Sequence, residues 1–192
     1  MMKNSVIIFL ATFIFACSAH KKIIETSSGE TKKNAREITA KKDTNGYLIG
    51  IANKESFQDA SFKEWFNSKY AAYISDKETI NQLTYALKGY TIKGFMGTWC
   101  GDSKRETPHF YKILEQSGFD NNDFELITVN RSKKTPDNLQ EGLKIKRVPT
   151  FIFYKEGKEV GRYVEYPRET LEKDILKIVT GQPYKHSYDK SN

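Results

Sequence analysis

The stretch GFMGTWCGDSKRETPHFYKIL, residues 94–114, decides how the chain is read. A short β-branched and aromatic run, YTIKGFMG, leads directly into Trp99 and Cys100, and an amphipathic helical pattern continues to Gly118. The periodicity changes at the cysteine, so its thiol sits at a strand-to-helix junction. A cysteine at a helix N-terminus is favoured as the thiolate by the backbone N–H groups and the positive end of the helix dipole, and the thiolate is the nucleophile. Lys104 and Arg105 add favourable charge there and Asp102 opposes it. Trp99 offers an apolar shelf beside the sulfur. Three residues on, where a second thiol would complete a C-x-x-C pair, stands Ser103.

Working outward, YLIGI from Tyr47 reads as a first strand, and Phe57, Phe62, Trp65, Phe66, Tyr70 and Tyr73 follow at spacings that suit a helical face. SDKETINQLTYALKG is a helix with Ser75 as N-cap, Glu78 completing a capping box, and Gly89 as the stop. After the 94–118 unit, DFELITVNR reads as a buried strand and TPDNLQEGLKI, 135–145, as a short helix. VPTFIFYKEGKEVGRYVEY reads as two strands turning at Glu156 and Gly157, and RETLEKDILKIVTG as a closing helix. The order is β, α, β, α, β, β, α, an α/β domain over 47–182.

The 192 residues are 38% hydrophobic and 13% aromatic, enough for one ordinary domain with length to spare. The formal charge of +7 is spread among interleaved acids and bases, so no nucleic-acid partner is expected. The start, MMKNSVIIFLATFIFACS, has Lys3 before an apolar run from Val6 to Ala16, which fits a secretory signal and is too short to span a bilayer. Its end, IFAC, resembles the lipobox of bacterial lipoproteins, although Phe15 departs from the small or aliphatic residue usual there. That resemblance implies a signal peptide over 1–16, a lipidated Cys17, and attachment to a membrane. An ordinary signal peptide cleaved near Ala19 is the alternative. Residues 17–46, rich in Lys, Thr and Ser, read as a tether, and 183–192 as a polar tail. With two cysteines in the chain and Cys17 consumed by lipid, Cys100 has no intramolecular partner.

From Tyr90 to Gly181 the chain resembles the thioredoxin fold family, a three-layer sandwich with a central mixed sheet, here preceded by an N-terminal helical extension. Trp99 and Cys100 match its Trp-Cys, Pro108 lies eight residues after the cysteine, and Val148, Pro149 and Thr150 match the loop whose cis-proline faces the thiol. Gly157 falls eight residues beyond Pro149, in the hairpin turn. The TWCGDS sequence behind a lipoprotein signal is similar to envelope thioredoxin-like proteins of Bacteroidetes-type bacteria. The resemblance implies a catalytic Cys100 and a substrate surface of Trp99, Val148, Pro149 and Thr150, along which an extended segment pairs like an added strand.

Two departures agree with each other. Thioredoxins carry a buried carboxylate on the strand before the active site, which serves the resolving cysteine, whereas the matching position here is near Gly94. Ser103 cannot resolve a mixed disulfide, although its hydroxyl can hydrogen-bond the Cys100 thiolate. The expectation is a monothiol protein that exchanges disulfides with envelope proteins bearing thiols or disulfides. Release then comes from the substrate, an external thiol or a thioredoxin-like reductant. It would be lipid-anchored in the cell envelope, facing the periplasm, with no cofactor. His20, His109 and His186 are too scattered to hold a metal. A non-catalytic binding module on the same fold is the alternative function.

Overall fold

The structure, a computed structural model, describes residues 37–189. The signal segment 1–16, Cys17 and most of the expected tether lie outside the described residues. The elements are β1 (Lys41–Lys42), β2 (Leu48–Ala52), α1 (Lys63–Ala72), α2 (Lys77–Ala86), β3 (Tyr90–Met96), α3 (Gly101–Gln116), β4 (Phe124–Thr128), β5 (Thr150–Lys155), β6 (Lys158–Val164) and α4 (Leu171–Val179). They build a mixed sheet in the order β1-β2-β4-β3-β5-β6, with β3 parallel to β4 and the other neighbours antiparallel. This is the thioredoxin-like α/β architecture. None of the described helices is long and apolar enough to cross a membrane.

Strand alternation sorts the core into two faces. Ile92 and Met96 of β3, Leu126 of β4, Phe151 and Phe153 of β5 and Tyr163 of β6 share one buried core with residues from all four helices. Phe110 of α3 stacks on Phe151 with ring centroids 3.9 Å apart, which fixes the active-site helix against the central strands. On the opposite face, Phe95, Ile127 and Ile152 pack with Val129 and Val148, and Trp99, Cys100, Leu139, Leu143 and Ile145 lie against them.

The cover of that second face differs from the expected short helix over 135–145, since the segment is a chain of turns. Asn138, Gly142 and Lys144 have φ of 51°, 73° and 54°. Three left-handed residues so closely spaced are incompatible with a right-handed helix, whatever the apolar spacing suggests.

The ends of the domain also differ from expectation. The tether does not run to residue 46: Thr39 N and Ala40 N donate to Ile51 O at 3.0 and 2.9 Å, and β1 pairs with β2. Backbone pairing, not an apolar pattern, holds this lysine-rich strand. The close approach needs Gly50, whose φ is +123° and where a Cβ would stand 3.0 Å from the Ala40 backbone. The tail likewise docks as far as it is described, with the Tyr184 hydroxyl donating to Asp174 (3.1 Å) and the Ser187 hydroxyl donating to Tyr166 O (2.6 Å).

The helical extension packs on both α3 and α4. Phe57 stacks on Phe66 with centroids 4.8 Å apart, and Phe66 meets Tyr111 of α3 edge-on at 5.9 Å. Glu172, buried at the start of α4, accepts from the Tyr73 hydroxyl and, at 2.8 Å, from Asp76 N. The N-cap of α2 is Asp76 and not Ser75, its carboxylate accepting from Thr79 N at 2.9 Å.

Candidate functional site

The residues between β3 and α3 form a tight turn. Cys100 N donates to Gly97 O at 2.9 Å, and Cys100, with extended backbone, is the N-cap of α3, its carbonyl accepting from Lys104 N at 3.0 Å. Gly97 is required because the Trp99 ring lies directly on it; a Cβ there would come within 2.5 Å of the indole. The indole N–H donates to Val129 O at 2.9 Å, so the ring is clamped at the end of β4. Thr98 is buried, and its hydroxyl oxygen accepts from Leu48 N at 3.1 Å, fastening β2 to the turn.

Facing the turn, the Val148–Pro149 peptide is cis. The half-buried Cys100 thiol donates to Val148 O, the carbonyl of that peptide, at 3.2 Å. Pro149 O accepts from Glu165 N at 2.8 Å, and the Thr150 hydroxyl donates to Arg147 O at 2.8 Å, closing the loop that presents the proline. The structure therefore brings Trp99, Cys100, Val148, Pro149 and Thr150 together around the turn.

Ser103 does not do what was expected of it. Its side chain is fully buried, and its hydroxyl oxygen accepts from Gly97 N at 3.2 Å, so its hydrogen bond supports the turn and not the Cys100 sulfur. The expected charges around the thiol also largely cancel, because Arg105 binds Asp102 and Glu106, each at 2.6 Å. At Gly94 a Cβ would lie 2.9 Å from the Phe124 ring and 3.1 Å from Leu126, so any side chain there has to displace them.

A family model for thioredoxin matches residues 73–177, more than half of the chain. The chain belongs to the thioredoxin family. Among its relatives, a thioredoxin-like protein of Acanthamoeba polyphaga mimivirus is 33% identical over 102 residues, spanning 51% of this chain and 72% of that protein. Thioredoxin of Coprinus comatus is 33% identical over 104 residues, spanning 54% and 93% respectively. A solved thioredoxin from Nicotiana alata is 26% identical and covers 53% of this chain and 82% of its own, with a TM-score of 0.36.

Membership in the thioredoxin family is consistent with thiol–disulfide oxidoreductase-type chemistry, thiol-bearing substrates and a reductant partner. One residue at this site was not found from the sequence. Arg131 lies over the Trp99 ring with its guanidinium carbon 5.4 Å from the centroid, and it also donates to the Tyr47 hydroxyl at 3.0 Å. No local spacing signals this, since Tyr47, Trp99 and Arg131 come from separate elements joined only by the sheet.

Proposed function

We propose that this protein performs monothiol thiol–disulfide exchange on cell-envelope proteins through Cys100, held to a membrane by lipid on Cys17. The observation that carries the reading is the Cys100 thiol at 3.2 Å from the carbonyl of the cis Val148–Pro149 peptide, at the head of a helix, with a buried serine in the place of a second thiol. The thiolate attacks one sulfur of a substrate disulfide, a Cys100–substrate disulfide forms, and the other substrate sulfur leaves as thiolate. A second thiol, from the same substrate or from a free reductant, then attacks that bond and returns Cys100 as thiolate. Each step is an exchange, so the chain by itself gives isomerisation or transfer and no net reduction.

The surroundings suit each step. Once the thiol has lost its proton or joined a disulfide, Val148 O no longer has a donor and is free to accept a backbone N–H from an extended substrate. Trp99, clamped by Val129, supplies a fixed apolar surface beside the new bond. Ser103 acts here as a positioning residue for the Gly97 turn. The binding-module reading draws its support from the buried Ser103, which supplies no second thiol and makes no hydrogen bond to the Cys100 sulfur among the described residues.

Incubation with a protein disulfide should yield long-lived adducts that vanish in Cys100→Ser and are released by an added thiol. A wild-type protein that forms no adduct, alongside Cys100→Ser that keeps its partners, establishes the binding module instead. For the anchor, Cys17→Ala should move the protein from the membrane fraction to the soluble fraction of cells. Unchanged fractionation would refute lipidation.

A further inference from the structure

The connection from β4 to β5 leaves and returns at the reactive turn. Val129 O accepts from the Trp99 indole at its start, and Val148 O accepts from the Cys100 thiol at its end. Between these points it carries Arg131, Lys133, Lys134, Lys144 and Lys146, none of which makes an ion pair with a carboxylate among the described residues. Of the nearby acids, Glu165 pairs with Arg147 at 3.1 Å and Asp102 with Arg105 at 2.6 Å, while Asp43, which accepts from Asn45 N and Tyr47 N at 2.9 Å each, keeps its charge. Asp137 and Glu141 are the two acids in the connection itself. A surface cleft of about 290 Å³, lined by Asp43, Asn45, Tyr47, Asn130, Arg131 and Ser132, opens beside the Arg131 guanidinium.

We propose that this connection docks acidic polypeptide, so that Cys100 exchanges preferentially with disulfides whose cysteines are flanked by Asp or Glu. The inference rests on the exchange reading above and adds the substrate class. Arg131 is the central element: its guanidinium lies over Trp99, its Nε and Nη2 donate to the Tyr47 hydroxyl, and its Nη1 and the second Nη2 proton are left to donate to a carboxylate. The four lysines supply long-range attraction, which acts chiefly on the association rate and weakens as salt screens it. A polypeptide is favoured over an anionic membrane because Arg131 lies over the indole that packs with the thiol against one core cluster, so a ligand drawn to it is brought to the reactive turn.

The test compares two peptides with one central cysteine activated as the 2-thiopyridyl disulfide, one flanked by Asp and Glu and the other by Lys. The neutral reagent 2,2′-dithiodipyridine measures thiol reactivity alone. At low salt the acidic peptide should react with Cys100 about tenfold or more faster than the basic one, and the ratio should fall towards one as salt rises. Arg131→Gln, and separately the fourfold Lys→Gln variant at 133, 134, 144 and 146, should each lower the ratio measured within the same protein. Equal rates for both peptides at low salt, with a reactive thiol, overturn the proposal and leave the exchange reading intact. If the neutral reagent shows the thiol to be inert, the exchange reading fails. Docking is then decided by anisotropy, with Cys100→Ser expected to bind a labelled acidic peptide carrying Ser for Cys more tightly than its basic counterpart. Binding to phosphatidylglycerol vesicles without discrimination between the peptides overturns the proposal in favour of a membrane.

Discussion

Ser103→Cys is expected to convert a protein that accumulates mixed disulfides into one that ejects them, shortening adduct lifetimes by about a hundredfold or more. The gain comes from making resolution intramolecular, where the attacking sulfur no longer has to be delivered from solution. The position is suited to it: the side chain is fully buried one helical turn below Cys100, and its Oγ lies 3.2 Å from Gly97 N. A sulfur placed there accepts the same N–H, which favours its thiolate. Resolution should accelerate as pH rises, because no carboxylate stands near Gly94 to take the new thiol's proton. Adduct lifetime by non-reducing gel and mass spectrometry reads the effect, and a matched urea midpoint shows that the fold is kept. Unchanged lifetimes in a folded variant would mean that position 103 does not face the Cys100 disulfide.

Gly94→Asp, which restores the carboxylate characteristic of thioredoxins, is expected to destabilise the protein by about 4 kcal/mol or more, a large part of the 5–15 kcal/mol typical of a domain. Two costs add. The Cβ alone collides with Phe124 at 2.9 Å and Leu126 at 3.1 Å, an overpacking cost of about 1–3 kcal/mol. The charge then has no partner in an apolar core, which costs several kcal/mol more. Gly94→Ala isolates the first cost, and urea midpoints measure both variants. Burial raises the folded pKa of the new acid, so its ionic deficit is present above that pKa and is relieved as pH falls through it. A near-normal midpoint for Gly94→Asp would show that Phe124 can swing away. Installing a second cysteine and installing its base are therefore different problems at this site, and only the first fits the packing.

The chemistry-bearing turn was legible because each of its parts has a local cause. The β-branched and aromatic run YTIKGFMG reads as a strand with a helix after it, and the hairpin turns at Glu156 and Gly157 as read, with φ of 51° and 75°. What was not legible depends on partners distant in sequence. Lys41 and Lys42 become strand because β2 offers its edge, not because of any pattern of their own. The segment 135–145 has helix-like apolar spacing, but burying Leu139, Leu143 and Ile145 on the sheet was met by turns. Ser103 reads as a donor to the Cys100 sulfur, whereas its oxygen accepts from Gly97 N, because which nearby group a hydroxyl meets is set by rotamer and packing. Arg131 had no signal at all.

The bond from Leu48 N to the Thr98 hydroxyl, together with the register of Gly50, Ile51 and Ala52 against Thr128, Ile127 and Leu126, has a consequence for how this protein can be cut. The family match begins at residue 73, and a fragment trimmed to that boundary would lose β1 and β2. It would then expose the open side of β4, a row of unpaired amides and carbonyls flanked by Leu126 and Ile127, which is a template for joining another copy edge to edge. β1 and β2, both ahead of the matched region, are thus the selvedge of the sheet, and a soluble truncation has to start before Thr39.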